Sequence, residues 1–148
     1  LMLAALAPPQ KPDWISFVER GPDDRALSEQ IGDIAKRATE FLADLVPCIS
    51  VLRASGMTPE TLFARYEQGP PVVLAVKALV GWVERAKAKK LVRDDVTPLA
   101  ATMLFLGSLQ LPAFLAHISM GRSPVNAISD PDHVTQMVEL ITRSLETP

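Results

Sequence analysis

Gln110 and His117 lie seven residues apart in the most apolar stretch of the sequence. Seven residues make two turns of an α-helix, so both side chains project from one helix face, together with Met103, Leu106 and Phe114. An apolar wall with a few polar anchors is the usual construction of a small-molecule binding site. The alternative is that backbone groups or a subunit interface satisfy both polar groups, and for His117 this alternative is slightly favoured.

The other reactive residue types occur in patterns that favour structural roles. Cys48 follows a proline in an apolar stretch with no histidine nearby, which indicates an inert buried thiol. The carboxylates at 94–95 and 130–132 are potential metal ligands, but residues of this kind also cap helices, and capping is the favoured interpretation. The basic residues between Arg85 and Arg93 alternate with carboxylates, which is typical of a solvated helix end. No serine lies in a nucleophile motif and no glycine-rich phosphate loop is present, so we predict no enzyme activity, metal or cofactor.

Composition narrows the class of protein further. A chain of 148 residues predicts one domain. Its 15 lysines and arginines against 17 aspartates and glutamates give a net charge of −2, which argues against a nucleic-acid-binding surface. One cysteine excludes an internal disulfide, and two histidines leave little for a metal centre.

The elements that position these residues are predicted to be helices. Prolines and glycines cluster between long stretches with apolar residues at steps of three and four, and no stretch shows the alternation typical of strands. Thr58-Pro59, Thr97-Pro98 and Asp130-Pro131 each combine a capping residue with a proline at the first helical position. We therefore predict an all-α fold of about five main helices, at about 25–55, 59–68, 71–91, 98–120 and 131–146.

The helix predicted at 98–120 is apolar almost all round. Its length meets that of a membrane span, but Gly107, Pro112 and four polar side chains weaken that interpretation. A helix that is apolar on every side can also be buried on every side. We expect one of its faces to meet the core of the domain and the other to meet a partner.

Several short motifs follow one another along essentially the whole chain. They are Trp14 with Gly21–Arg25, Phe41–Pro47, Trp82–Ala86, Leu91–Ala101, Leu106–Gly107 and Val138–Ile141. In this order and spacing the chain resembles the C-terminal ligand-binding and dimerisation domain of the tetracycline-repressor (TetR) family of transcriptional regulators. The chain departs from the family pattern in two ways. Lys89 and Lys90 stand where family members often have glycine. The family's DNA-binding helix-turn-helix is not within these residues.

The resemblance implies one TetR-type helical domain over residues 1–148, in which residues 1–12 are the remainder of a connecting helix and loop. It implies a cytoplasmic homodimeric repressor domain that senses a small, apolar ligand and makes no membrane contact. DNA would be bound only through an N-terminal domain outside this chain, and released when the ligand binds. The alternatives are a helical enzyme or carrier, and a protein-interaction or membrane-associated module unrelated to transcription.

The ligand site is predicted between the helices near 25–55, 71–91 and 98–120. Pro47 should kink the first of these helices, and long helices that diverge around a kink leave space between them. The predicted wall residues are Phe41, Leu45, Cys48, Phe63, Val76, Leu79, Met103, Leu106, Gln110 and Phe114.

The dimer interface is predicted on the last two helices. Helix 98–120 has more apolar surface than one small domain covers, and the closing helix carries an apolar seam at helical spacing. Two such helices from each subunit would form a four-helix bundle around a twofold axis. The predicted interface residues are Leu104, Ser108, Leu111, Leu115, Val134, Met137, Val138, Ile141 and Leu145.

Overall fold

The computed structural model describes residues 11–64, 69–118 and 132–147. These ranges contain six helices and no strand beyond an isolated antiparallel bridge between Val92 and Glu146. The helices are α1 (Asp13–Glu19), α2 (Leu27–Ala54), α3 (Pro59–Ala64), α4 (Pro71–Ala88), α5 (Pro98–Ile118) and α6 (His133–Leu145). The prediction of an all-α fold with about five helices is confirmed.

Helix α1 is the element that the sequence pattern did not predict. It has only seven residues, which is too short to show a helical period, yet it buries Trp14, Ile15 and Val18. The connecting helix predicted within 1–12 falls mostly on residues outside the described ranges. The last two of those positions, Lys11 and Pro12, are not helical.

Helix α2 runs through the middle of the bundle. It packs against α5 and α6, and it also touches α1, while α4 packs against α1 and α5. The buried residues of α2 recur at steps of three and four, as an amphipathic helix requires. Ala35, Ala38 and Ala86 are fully buried, and such small side chains allow neighbouring helices to approach closely. The helix continues through Pro47 to Ala54.

The side-chain cap predicted at Thr58 is confirmed, and at Thr97 the structure shows the backbone bond that begins the helix. The Thr58 hydroxyl accepts a hydrogen bond from the Thr61 N–H at 3.3 Å, at the start of α3. The Thr97 carbonyl accepts the first α5 bond, from Ala101 at 3.0 Å. The cap predicted at Asp130-Pro131 lies outside the described residues.

The basic residues at the end of α4 bind the chain's own backbone. Arg85 donates to the carbonyls of Val18 and Glu19 at 3.3 and 3.2 Å, and Lys89 donates to Pro22 at 2.9 Å. These bonds fasten α1 and the following loop to α4. The sequence predicts a solvated helix end, and Arg85 and Lys89 are indeed exposed, but both also hold tertiary structure together.

Gly21 occupies a position that disfavours a side chain. Its φ is +87°, and a Cβ atom built there would lie 2.7 Å from the Arg85 Nε. We expect Gly21→Ala to lower the free energy of unfolding by about 1–2 kcal/mol, measured by urea denaturation. Gly32→Ala is the control, because Gly32 lies in α2 with open space around it, and there alanine should stabilise by up to about 1 kcal/mol. Equal effects at both positions would contradict this account.

Candidate functional site

The residues predicted to line a ligand pocket do not share one environment. Leu79 and Leu106 are buried, and four others are partly buried: Phe41, Leu45, Cys48 and Val76. Met103, Gln110 and Phe114 lie on the exposed side of α5, so their assignment to an inner pocket wall is corrected. The side chain of Phe63 is outside the described part of the chain. A helix that is apolar all round gives no signal for its rotation about its axis, so its inner and outer faces could not be told apart from sequence.

A small apolar cavity lies in the core between α2, α4, α5 and α6. Its volume is about 30 Å³. A single water molecule occupies about that much space in the liquid, so a larger ligand enters only if the helices move apart. Of the predicted wall residues, only Leu79 lines this cavity. Its lining is Ile31, Ile34, Leu79, Trp82, Val83, Ala101, Thr102, Phe105, Ile141 and Leu145.

Thr102 is the polar residue in that lining. It is 1% exposed, and its hydroxyl has no hydrogen-bond partner among the described residues. An unsatisfied buried hydroxyl costs about 1–3 kcal/mol. The sequence marked Thr102 only as an interruption of the apolar helix, and its burial follows from the tertiary packing of α5 on α2 and α4.

Thr102→Val should therefore stabilise the chain. Valine has nearly the shape of threonine and removes the unpaired hydroxyl, so we expect a gain of about 1 kcal/mol and a rise of a few degrees in Tm. Thr39→Val is the matched control, because the Thr39 hydroxyl donates to the Ala35 carbonyl at 2.8 Å and its loss should not stabilise. A lower Tm for Thr102→Val would show that the hydroxyl is satisfied, for example by a buried water.

One side of α5 is exposed along its whole length and carries no charged residue. We call this surface the α5 outer face: Leu99, Met103, Leu104, Gly107, Gln110, Leu111, Phe114 and Ile118. Leu104 is 61% exposed and Leu111 is 58% exposed. A contiguous apolar surface of this kind usually marks a site of interaction.

The predicted dimer residues divide between this face and the core. Leu104 and Leu111 lie on the α5 outer face, and Ser108, Leu115 and Val134 are partly buried. The remaining four, Met137, Val138, Ile141 and Leu145, are buried in the chain's own core. The apolar seam of α6 thus points inward, which corrects the expectation that it meets a partner. A small domain covers its core with its most amphipathic helix, and the outward side of α6 is polar except for Leu140.

By length and composition alone, α5 is the one helix in the described ranges that could cross a membrane. This is weak evidence, since the core helix of a globular domain passes the same test. Its inner side packs against α2 and α4.

A larger groove lies at the end of the bundle, beside α1 and the loop that follows it. Its volume is about 370 Å³, and Phe17, Arg20, Ile34 and Trp82 are among its lining residues. Volumes in this range are typical of small-molecule sites. Sequence reasoning did not single out this groove. Its one sequence signal is the spacing of Phe17 and Arg20, three residues apart in a short amphipathic segment.

The loop beside the groove is held by Gln30. This side chain is buried, accepts a bond from the Asp23 N–H at 2.9 Å, and donates to the Arg25 carbonyl at 2.7 Å. Arg25 in turn forms ion pairs with Asp23 at 2.9 Å and Asp33 at 2.8 Å. The loop is therefore a fixed wall of the groove.

The hydrogen bonds from Arg25 lower the pKa of Asp23 below its ordinary value of 3.8. A lowered pKa in the folded chain stabilises the fold above pH 3.8, and this contribution is lost as the pH falls through the folded-state pKa. We expect Asp23→Asn to lower the urea midpoint at pH 6, and the difference from the unmodified chain to shrink at acid pH. Asp44→Asn, at an exposed α2 position without an ion pair among the described residues, is the control. A difference that is independent of pH would contradict the assignment.

No group of three or more histidine, cysteine, aspartate or glutamate side chains in the described ranges is placed to hold a metal ion. The exposed pairs Lys90–Asp94 and Arg93–Asp95 are surface ion pairs, at 2.8 and 2.6 Å. The carboxylates at 94–95 therefore have basic partners within the chain and need no bound ligand.

Comparison with known proteins adds no further constraint: no protein-family model, curated protein or solved structure matches the chain. The class that the structure itself defines is an all-α helical domain.

Proposed function

We propose that this chain is the ligand-sensing and dimerisation domain of a TetR-type transcriptional repressor. The proposal joins the order of sequence motifs to one structural observation, the uncharged α5 outer face. In this proposal the DNA-binding domain precedes the chain, the protein is cytoplasmic, and a small molecule favours an arrangement of two subunits that releases DNA. Such a ligand acts only by binding one arrangement more tightly than the other.

The α5 outer face supports pairing with a second copy. It combines large side chains with Gly107, and a Cβ atom built at Gly107 would meet nothing within 4 Å. A small residue between leucines lets two helices approach closely. Because the α6 seam is used by the core, we propose that α5 carries most of the interface, with Leu140 as the apolar contribution of α6.

The ligand would enter between α2, α4 and α5. The cavity there is apolar but holds only about 30 Å³, so binding requires these helices to separate. A closed core that opens around its ligand couples binding to helix position, which is the property that a sensor needs.

The test has two parts. Analytical ultracentrifugation of the purified chain at micromolar concentration should give the mass of a dimer. A thermal-shift screen of small apolar compounds should then find a stabilising ligand, whose effect grows with its concentration. A monomer without any stabilising compound would overturn the proposal.

A second candidate is a protein-interaction module unrelated to transcription. The observation that favours it is the same outer face together with a core that is nearly filled. It predicts a monomeric chain that becomes stable in complex with a different protein, so the mass of the pure chain separates the two candidates.

A further inference from the structure

Two arginine side chains lie against one aromatic ring beside the end groove. The guanidinium carbon of Arg20 is 5.0 Å from the centroid of the Phe17 ring, and that of Arg37 is 4.4 Å from it. Within the described ranges, neither arginine has a carboxylate within 4 Å, although six other basic side chains do. Two guanidinium groups without an ion-pair partner in the described ranges thus contact one ring, and uncompensated positive charge attracts an anion.

The groove next to these charges has an apolar floor. Ile34 and Trp82, both largely buried, present their exposed edges to it, and Phe17 forms the side nearest the arginines. Arg20 itself lines the groove. The site thus combines a small apolar surface with a cation at its rim.

The carboxylates near the groove already have basic partners, although Asp23 and Asp33 share one guanidinium group, that of Arg25. Asp23 lines it but accepts two bonds from the Arg25 side chain and one from the Arg25 N–H. The second partner of Arg25 is Asp33, and Glu19 on α1 is paired with Lys11. Arg20 is consequently the lining cation that is left for a ligand.

From this arrangement we propose that the groove binds an amphipathic carboxylate. The apolar body of the ligand packs on Phe17 and on the exposed edges of Ile34 and Trp82, and its carboxylate pairs with Arg20 at the rim. Arg37 contacts the same Phe17 ring but does not line the groove, so it adds positive charge nearby. Arginine suits this role because its planar group donates two parallel hydrogen bonds to a carboxylate. The groove shares Ile34 and Trp82 with the core cavity, and binding there does not depend on a role in transcription.

The first test uses the unmodified chain and octanoate, with 1-octanol as a ligand of the same apolar body without the charge. Isothermal titration and ¹H–¹⁵N NMR should show saturable octanoate binding that moves the Gly21 amide signal, which belongs to the groove, more than the Thr102 amide signal, which belongs to the core cavity. We expect octanol to bind at least 10-fold more weakly, and acetate or inorganic phosphate to give no saturable shift. Equal binding of octanol and octanoate would overturn the proposal, because the charge would then play no part. Saturable phosphate binding without octanoate binding would also overturn it.

The second test uses charge-removing variants. Arg20→Gln should weaken octanoate binding at least 10-fold and Arg37→Gln should weaken it by less, whereas Arg53→Gln, an exposed position near the other end of α2, should leave it unchanged. All three arginines are exposed, so the Tm of each variant should stay close to that of the unmodified chain. Undiminished binding to Arg20→Gln, or octanoate-induced shifts confined to the core around Thr102, would refute the site.

Discussion

Replacing Ile141 with aspartate is expected to unfold the chain and not to separate two folded copies. Ile141 is 7% exposed and lines the core cavity together with Ile34, Leu79 and Phe105. No basic residue lines that cavity, so a carboxylate there would lose its hydration without gaining an ion pair. The penalty is several kcal/mol, added to about 1.5–3 kcal/mol of lost apolar burial. The total stability of a domain is about 5–15 kcal/mol, so the variant should be largely unfolded.

Circular dichroism and urea denaturation measure this outcome directly. The control is Ile141→Val, which removes one methylene group and should cost only about 0.5–1.5 kcal/mol. A folded Ile141→Asp chain with an unchanged urea midpoint would place this side chain on a surface, as the sequence pattern alone had indicated.

The opposite outcome is expected on the α5 outer face. Leu104→Glu combined with Leu111→Glu should abolish the proposed dimer and leave a folded monomer. Both side chains are exposed in the single chain, so the substitution costs its fold little. In a symmetric interface each change occurs twice, and four carboxylates would lose water without basic partners, because α5 contains no lysine or arginine. We expect the dimer dissociation constant to rise at least about 1,000-fold, which corresponds to about 4 kcal/mol.

Sedimentation velocity over a concentration series provides the measurement, with circular dichroism to confirm the fold. Val72→Glu is the control, since Val72 is an exposed aliphatic residue on a different helix, α4. It should leave the mass unchanged. A double variant that remains a dimer would remove α5 from the interface.

These two variants together separate the roles that the sequence had assigned to one surface. Leu104 and Ile141 were both predicted to meet a partner, yet one lies outside the fold and the other inside its core. The proposed dimer therefore depends on α5 far more than on α6. The proposed sensing depends on whether a core with about 30 Å³ of free space can open.

Local patterns in the sequence were sufficient to predict five helices of the all-α fold. Proline and glycine punctuation, caps such as Thr58 and apolar steps of three and four act over a few residues, so they are readable without tertiary information. The same holds for the inward stripe of α2, because its polar and apolar sides differ. Helix α1 was not predicted, because seven residues contain too few turns to show a period.

Tertiary structure alone decided which sides of α5 and α6 face inward and where space remains. An apolar helix such as α5 has no preferred rotation until α2 and α4 cover one side, so Met103, Gln110 and Phe114 turned outward against expectation. The apolar seam of α6 is equally compatible with burial in a core and with burial in an interface, because both remove the same surface from water. Arg20 and Arg37 meet at Phe17 only because α1 folds onto α2, and contacts between separate elements leave no local pattern in a single sequence.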